Sequence, residues 1–334
     1  GSAGHSITGV GFQPDFVWIK QRDSRDHFLF NAISTATKYV ASNTTAAEAT
    51  DANTLTAFGA DGFTLGNGVG VNENNDTHAS WNWKANGAGS ANTDGTAANV
   101  TVSANTTAGF SLVQFDATQS RVSVGHGLGS TPDAIFMKET EGAGGWVVGG
   151  FGLDWSGYLS LQATNAFNND NNDSSGTGRM FTPDGYAPTS SVWSTNGSAF
   201  LSGGTKTCIA YCFKSIKGYS KFGSYIGNGN ADGMFVYTGF KPAWVMLKNS
   251  GNSSEEWGIW DSKRDVSNLM TRRLVANANA AENTADYLDF LSNGFKIRTT
   301  ANGLNQSGNS IIYMAFAENP LVANVGQSIP ATAR

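Results

Sequence analysis

The side chains with the clearest capacity for ligand chemistry lie between residues 155 and 196. Aromatic rings can stack on the apolar face of a pyranose, while amides and carboxylates hold its hydroxyl groups. Both types occur together here, because Trp155 and Tyr158 precede an Asn-rich insertion at residues 165–178. We predict a carbohydrate site, with the alternative that the aromatic residues alternate inward as core. The predicted ligand-binding residues are Trp155, Tyr158, Asn171, Asp173, Trp193 and Asn196.

Glu139 and Glu141 come nearest to a catalytic carboxylate pair. Alternate residues of a strand share a face, and a glycosidase needs two carboxyl groups about 5 to 9 Å apart. These glutamates precede Gly142 in a glycine-rich loop, where exposed charges are the better interpretation. The sequence contains no nucleophile elbow, zinc-protease helix or phosphate-binding loop. We therefore predict a protein without enzymatic activity.

Histidine and aspartate supply no regular set of metal ligands. The four histidines are scattered, and none pairs with another at the spacing that zinc sites use. Asp170 and Asp173 could offer oxygen atoms to Ca²⁺, but a solvated polar loop explains their spacing better. We expect no cofactor and keep Ca²⁺ at this loop as the alternative.

Composition narrows the fold class and the class of partner. The 334 residues carry a formal net charge of −5, only 14% are charged, and no basic stripe is present. Nucleic acid is therefore not an expected partner, since binding phosphates needs clustered Lys and Arg. Membrane insertion is not expected either, because no apolar run approaches the roughly 20 residues of a membrane helix. Abundant Gly, Asn, Ser and Thr, with six Asn-Gly turn signals, favour an all-β fold.

One stretch of sequence occurs three times. Residues 11–20, 127–138 and 239–248 each combine glycine and proline with a short apolar run that ends in a lysine. Such a run, rich in β-branched and aromatic residues, predicts a strand buried on both faces. A turn before an aromatic residue and then a closing strand follow each run in the same order. The turns begin at Asp61, Asp184 and Asn293, and the closing strands cover residues 78–83, 208–213 and 311–316.

Several segments resemble tail proteins of tailed bacteriophages, notably marine ones. The likeness includes residues 101–111, 124–129, 211–213 and 329–334, and it is most specific at residues 218–229. The resemblance implies a virion structural protein of the tail-fibre or appendage type. It also implies β-sandwich modules of laminin-G, concanavalin-like or jelly-roll-like fold. The family supplies no catalytic residues that could be transferred to this chain.

The repeat and the resemblance together predict three tandem β-sandwich modules related by internal repeat. The modules cover residues 1–86, 109–217 and 218–317. Residues 87–108 lack aromatic side chains and are predicted to be a linker or arm, because they cannot bury enough apolar area to pack alone. Residues 318–334 are predicted to form an extended tail.

The first module lacks an opening strand that the other two contain. In those modules Phe115 or Tyr225 precedes the lysine by 23 residues, whereas Lys20 has only 19 residues before it. An empty position would leave an unpaired strand edge. We expect another segment to fill it, either the linker around Val100 and Val102 or a strand of a neighbouring subunit.

Cys208 and Cys212 are the only cysteines and lie in one predicted strand. Four residues of strand separate them by roughly 13 Å. A disulfide cannot span that distance, so both are predicted to be buried free thiols.

The leading functional hypothesis is a non-enzymatic tail-fibre or appendage protein of a virion. Its expected partners are copies of itself, other tail or capsid proteins and host-surface polysaccharide. It would assemble in the host cytoplasm and act on the particle outside the cell. The alternatives are a tail-associated polysaccharide hydrolase and an architectural decoration protein without a ligand.

We expect the chain to form a homo-oligomer, specifically a trimer. Weak binding at a single sugar site becomes useful when several sites engage one surface. Light scattering at micromolar concentration measures the mass, and a monomer would contradict the expectation.

Overall fold

The computed structural model describes residues 1–169, 180–181, 187–197 and 200–317. Across these ranges the chain forms 24 strands and two helices of four residues each. The strands build three successive units that each enclose an apolar core. The predicted all-β sandwich fold is therefore confirmed.

The first unit contains two sheets. Its elements are β1 His5–Thr8, β2 Phe16–Gln21, β3 His27–Asn31, β4 Lys38–Val40, β5 Ala49–Thr50, β6 Leu55–Gly59, β7 Gly62–Leu65, α1 Val69–Asn72 and β8 His78–Trp83. The larger sheet has the order β5, β4, β3, β2, β8, and the smaller one has the order β1, β7, β6. Between them lies a core that includes Val17, Ile19, Phe30, Leu55, Phe63, Leu65 and Val71.

The second unit also contains two sheets. Its strands are β9 Ser90–Ala91, β10 Ala98–Asn105, β11 Phe110–Ala117, β12 Arg121–Gly125, β13 Ala134–Glu139, β14 Val147–Gly150, β15 Val192–Asn196 and β16 Lys206–Phe213. The larger sheet has the order β14, β13, β16, β11, β10, β9, and β12 pairs with β15 in the smaller one.

The third unit is a single sheet that nearly closes on itself. Its elements are β17 Ser220–Ile226, β18 Phe235–Tyr237, β19 Pro242–Asn249, β20 Gly258–Asp261, β21 Met270–Val275, β22 Asn283–Leu291, β23 Gly294–Ile297, α2 Asn302–Asn305 and β24 Ser310–Ala317. The order is β17, β24, β19, β20, β21, β22, β23, β18. The two end strands, β17 and β18, lie close to each other. The Nζ of Lys221 on β17 donates to the carbonyl oxygen of Tyr237 on β18 at 2.6 Å.

The three lysine-terminated strands, β2, β13 and β19, are buried on both faces, as predicted. Alternate side chains point to opposite faces of a strand. One face of each strand joins the core of its own unit, and the other joins a central core shared by all three units. The central core receives Phe16, Trp18, Ala134, Phe136, Trp244 and Met246 from these strands.

Each lysine strand pairs with the closing strand of its unit in the same register. The paired positions are Lys20 with Ala79, Lys138 with Ile209, and Lys248 with Ile312. The internal repeat stays a prediction, and superposition of the three lysine Cα atoms tests it. The shared central core shows that the three units pack against one another and are not independent domains.

The three lysine ammonium groups lie in cages of backbone carbonyls. Lys138 Nζ donates to Thr45 O of the first unit at 2.9 Å and to Gly144 O at 2.7 Å. Lys248 Nζ donates to Thr164 O of the second unit at 3.0 Å and to Asn249 O at 2.9 Å. Lys20 Nζ donates to the carbonyls of Gln21 and Asp23 in its own unit. Burial lowers the pKa of each lysine to about 8.

Hydrogen bonds from the ring nitrogens of Trp146, Trp257 and His27 connect each unit to the other two. Trp146 Nε1 donates to Ala41 O of the first unit at 2.8 Å, and Trp257 Nε1 donates to Ser160 O of the second at 3.0 Å. His27 Nε2 lies 2.9 Å from Val275 O of the third unit. Since His27 Nδ1 accepts a hydrogen bond from Trp18 Nε1 at 2.9 Å, Nε2 carries the proton and donates. Every unit therefore contacts both of the others.

Charged side chains reinforce the contact between the first and third units. Glu282 accepts from Arg22 at 2.5 Å and from Arg264 at 2.9 Å. Arg264 also donates to Asp261 at 2.6 Å, and Trp81 Nε1 donates to the same carboxylate at 3.1 Å. Every charge in this buried network has a partner, as burial requires.

The predicted linker belongs to the second unit and does not complete the first. Val100 and Val102 lie on β10, which pairs with β11 and β9. Residues 5–8 form β1, which pairs with β7 in the smaller sheet. The expectation that the linker fills the open place beside β8 is therefore wrong. Because alternating valines fit the edge of any sheet, the sequence of β10 does not specify which sheet it joins. In the structure β10 pairs with β11, the next strand along the chain.

Cys208 and Cys212 are free thiols, as predicted. Both are buried on β16 within the core of the second unit. Burial raises the pKa of each thiol well above its ordinary value. The two side chains therefore pack as small apolar groups.

The buried lysines predict a gain in stability at alkaline pH. Their folded-state pKa of about 8 lies below the unfolded value, so the unfolded chain binds more protons between pH 8 and about 10 and stability rises there. Lys138→Met should remove about one third of this rise and lower stability by about 1–3 kcal/mol, because carbonyls lose their partner. Urea unfolding across this pH range measures both effects. Lys84→Met, at an exposed position, is the control.

His27 predicts a loss of stability at acid pH. Burial lowers its folded-state pKa to about 3, so the unfolded chain takes up a proton first as the pH falls below about 6.5. Stability should then fall by about 1.4 kcal/mol per pH unit from this residue alone. His27→Gln should flatten the decline seen by urea unfolding, whereas Trp146→Phe at the corresponding contact should lower stability equally at every pH. An unchanged slope in His27→Gln would refute the assignment.

Candidate ligand-binding site

Two of the sequence-predicted ligand residues belong to the protein interior. Trp193 on β15 has 0% exposure and packs edge-on against Phe115, with ring centroids 5.6 Å apart. Asn196, at the end of the same strand, is 5% exposed. A sugar in solvent cannot stack on a ring with no accessible surface, so the prediction for Trp193 is wrong. Asn196 is also buried, and its place in a ligand site stays a prediction.

The other predicted residues are placed differently. Trp155 and Tyr158 are half-buried and pack against the core of the second unit. The Trp155 ring lies edge-on to Phe181, with centroids 5.7 Å apart, and the Tyr158 hydroxyl accepts from Asn168 Nδ2 at 3.1 Å. Asn171 and Asp173 lie outside the described residues. Of the four described residues, Trp155 and Tyr158 are thus half-buried, and Trp193 and Asn196 are buried.

The Glu139 and Glu141 pair has a structural role. Glu139 is fully buried, and its carboxylate accepts from the backbone N–H groups of Gly144 and Ser202, each at 2.8 Å. Glu141 accepts from the N–H and the hydroxyl of Thr207, each at 3.2 Å. These carboxylates hold loops in position, and the carboxylate of Glu139 has no surface to offer a substrate.

A cleft of about 600 Å³ opens on one side of the first unit. It lies between the two sheets, where β8 ends the larger sheet and β1 ends the smaller one. Helix α1 and the loop that follows it, residues 73–76, form one wall. The volume falls within the range that small-molecule sites occupy.

The floor of the cleft is apolar. Ile19 on β2 and Phe63 and Leu65 on β7 reach it from the two sheets, and Val71 of α1 completes it. All four side chains belong to the core of the first unit and are almost fully buried. The cleft therefore continues outward from a packed core, which fixes its shape.

The face of β8 that points to the sandwich interior is polar, unlike the corresponding faces in the other two units, and two of its residues, His78 and Ser80, line the cleft. Ala79, Trp81 and Trp83 point to the central core, so the alternate residues point to the sandwich interior. On β8 these alternate residues are His78, Ser80 and Asn82. The residues at the corresponding positions are Cys208, Ala210 and Cys212 on β16, and Ile311, Tyr313 and Ala315 on β24. The row that faces the sandwich interior is thus polar in the first unit and mainly apolar in the second and third units.

Two atoms of this polar row lack a partner. His78 Nε2 and Asn82 Oδ1 are buried and form no hydrogen bond with any described residue. A buried polar atom without a partner costs about 1–3 kcal/mol. His78 is one of the residues that line the cleft, so a ligand with hydroxyl groups would find hydrogen-bonding capacity on this wall; Asn82 is not among the lining residues.

Polar side chains also form the rim. Asn72 Nδ2 donates to Gly66 O at 2.7 Å, and its Oδ1 lies 3.1 Å from His5 Nδ1. Gln21 Nε2 donates to both Glu73, at 3.1 Å, and Asp76. The two carboxylates are therefore held side by side at the mouth of the cleft.

The electrostatics of the cleft disfavour an anionic ligand. The hydrogen bond from Gln21 lowers the pKa of Glu73, and Arg25 adds to this effect from 3.3 Å. Burial lowers the pKa of His78, which is therefore neutral at pH 7. The mouth thus carries carboxylate charge, and the β8 wall offers neutral donors and acceptors.

A family model for a domain of unknown function, DUF7483, matches residues 1–320. The chain belongs to the DUF7483 family. The match covers all three units, which is consistent with their shared central core. No curated protein and no solved structure matches the chain.

The described residues of this DUF7483 chain contain no group of three or more His, Cys, Asp or Glu side chains that could hold a metal ion. The alternative Ca²⁺ loop at Asp170 and Asp173 lies outside those residues. Within the same part of the chain, no helix is long and apolar enough to cross a membrane.

Sequence reasoning missed the cleft of the DUF7483 domain although a signal was present. The closing strand 78–83 alternates polar and apolar residues, whereas 208–213 and 311–316 are apolar almost throughout. A comparison of the three closing strands would have marked His78, Ser80 and Asn82 as exceptional. Asn72 at the end of α1 and the loop residues Glu73 and Asp76 have no such signal, because only tertiary contacts bring them to the cleft.

Proposed function

We propose that this DUF7483 protein is a structural protein of a virion tail fibre or appendage, and that it binds host-surface glycan in the cleft of the first unit. The observation that carries the proposal is the polar row on β8 above an apolar floor. This row replaces apolar side chains at the corresponding positions of the other two units. A change confined to the one open sandwich is best explained by a ligand.

A sugar matches the chemistry of this cleft. A pyranose presents hydroxyl groups around its edge and C–H groups on its faces, so it needs hydrogen-bonding walls and an apolar surface together. Amide, hydroxyl and imidazole groups supply the first, and Ile19, Phe63 and Leu65 supply the second. The carboxylates of Glu73 and Asp76 can accept from sugar hydroxyls.

Binding is better supported than hydrolysis. A glycosidase needs one carboxylic acid whose pKa is raised so that it can protonate the leaving group. The pKa of Glu73 is shifted in the opposite direction by its bond with Gln21. We therefore prefer a non-enzymatic role to the alternative of a polysaccharide hydrolase.

The virion assignment depends on the sequence resemblance. Residues 218–229 are its most specific part, and they cover β17 and the loop after it. An appendage displays many copies, which makes weak sugar affinity effective. Labelling of intact particles with an antibody against the chain tests this part of the proposal independently of ligand binding.

A glycan array followed by calorimetry tests the cleft. The array identifies a bacterial-surface oligosaccharide that binds the wild-type chain, and calorimetry then measures its affinity for variants. Ser80→Trp should weaken binding at least about tenfold, or about 1.4 kcal/mol, because the indole fills the cleft. Ser224→Trp, at an exposed serine on β17, should leave the affinity unchanged.

Trp155→Ala separates this site from the one predicted from sequence. Retained affinity in Trp155→Ala together with loss in Ser80→Trp supports the cleft. Retained affinity in Ser80→Trp, or an array without any binding, would show that the cleft is not a glycan site.

A further inference from the structure

Two aromatic side chains of β18 lie on the surface of the third unit. Phe235 is 42% exposed and Tyr237 is 59% exposed, and they are the most exposed aromatic side chains among the described residues. Val236 between them is buried in the core of the unit. Because alternate side chains of a strand share a face, both rings point outward, about 7 Å apart along the strand. Together they form a surface on which a ligand can stack.

The backbone of β18 holds the two rings in place. Strand β18 pairs with β23, where Phe235 lies opposite Lys296 and Val236 lies opposite Phe295. The carbonyl of Tyr237 accepts from Lys221 Nζ on the other end strand, β17. The rings are therefore fixed before a ligand arrives, which lowers the entropic cost of binding.

A lysine ammonium group lies beside the Tyr237 ring. Lys221 Nζ is 5.4 Å from the centroid of this ring, within the range of a cation–π contact. Its hydrogen bond to the Tyr237 carbonyl uses one of the three N–H donors of an ammonium group. No carboxylate in the described part of the chain forms an ion pair with Lys221. Donors therefore remain for an anionic group of a ligand.

The charged side chains around the two rings favour an anion. Lys296 Nζ lies 2.8 Å from Asp232 Oδ1, and Arg298 Nε lies 2.8 Å from Asp289 Oδ2. These two pairs balance each other, so Lys221 leaves one net positive charge in this group of five. The chain as a whole carries a formal charge of −5. The surface beside β18 thus differs in sign from the rest of the protein.

We propose that Phe235, Tyr237 and Lys221 bind an acidic polysaccharide that contains uronic acids. The C–H face of a uronic acid ring would stack on the aromatic side chains, and its carboxylate would accept from Lys221 Nζ. This site belongs to the third unit and does not depend on the cleft of the first unit, where the electrostatics disfavour an anionic ligand.

The size and the surroundings of this surface favour a sugar over a second protein chain. The exposed parts of the two rings together offer roughly 200 Å². One partner in a standard protein interface contributes about 800 Å². Lys296, Arg298 and Asp232 lie close by, whereas the core of a protein interface is depleted of charged residues.

Calorimetry with uronic acid oligomers tests the site. The probes are hexamers of galacturonate, mannuronate and guluronate, each compared with its methyl ester, which keeps the sugar rings and removes the charge. At least one acidic hexamer should bind the wild-type chain about tenfold more tightly than its ester. This difference should shrink in about 1 M salt, which screens charges beyond about 3 Å. Absence of binding by every hexamer, or equal binding of acid and ester, would overturn the proposal.

Substitutions of the two rings locate the binding. Tyr237→Thr and Phe235→Thr should each weaken binding at least about fivefold, because a stacking ring is lost while a β-branched side chain preserves the strand. Val266→Thr, at an apolar position that is 91% exposed, is the matched control and should bind like the wild type. Far-ultraviolet circular dichroism verifies the fold of each variant. Unchanged affinity in both ring variants would overturn the proposal.

Substitutions of Lys221 test the role of the charge. Lys221→Gln should lower the affinity for the acid to that for the ester, and Lys221→Arg should retain the preference for the acid. Lys84→Gln, at an exposed position in the first unit, is the control for a general loss of positive charge. An equal preference for the acid in Lys221→Gln would refute the assignment of this lysine.

Two further measurements separate this site from the other possibilities. Ser80→Trp, which fills the cleft of the first unit, should retain binding of the acidic hexamer, so failure of either proposal is recognised by itself. Light scattering gives the mass of the wild-type chain and of Tyr237→Thr. A lower mass in Tyr237→Thr would identify β18 as a contact between copies of the chain and would overturn the polysaccharide site.

Discussion

The contact of Trp83, Phe213 and Phe316 at the centre of the molecule holds the three units together. Each residue lies near the end of its unit's closing strand, paired with Phe16, Ala134 or Trp244 in the lysine strand. Phe316 lies 5.7 Å from the Trp83 ring and 6.1 Å from the Phe213 ring. A single unit released from the others would expose this aromatic face to water, and each large aromatic side chain contributes roughly 1.5–3 kcal/mol when buried. Burial of these aromatic side chains therefore stabilises the association of the three units.

Burial of both sheet faces explains the lysine at the end of each repeated strand. Once the strand is buried on both faces, a polar residue near its end needs a side chain that can reach the backbone of the adjoining loops. Lys138 and Lys248 do this across unit boundaries, with bonds to Thr45 O and Thr164 O. An ammonium group in a cage of carbonyls satisfies several acceptors at once, which offsets part of its loss of hydration. The same groups fix the order of the units around the centre.

The first unit departs from this pattern on the side where it meets the third. Among the described residues β8 pairs with β2 alone, and the neighbouring contact is made by an ion network around Asp261, Arg264 and Glu282. Departures from a repeated pattern are expected where function requires them. The polar face of β8 and the cleft occur together in the first unit, which is why the proposed glycan site lies there.

Local sequence determined the strands and their two-sided burial. The apolar runs ending at Lys20, Lys138 and Lys248 could form little else, and the four-residue separation of Cys208 and Cys212 already excluded a disulfide. Tertiary structure decided which core each face meets and which edge each strand joins. The alternation of side chains along a strand does not distinguish Trp193, which is in the core, from Ser80, which lines the cleft. Likewise, alternation made β10 fit any sheet edge, and only its contact with β11 assigned it to the second unit. These choices depend on contacts between residues distant in sequence, about which the pattern within one strand holds no information.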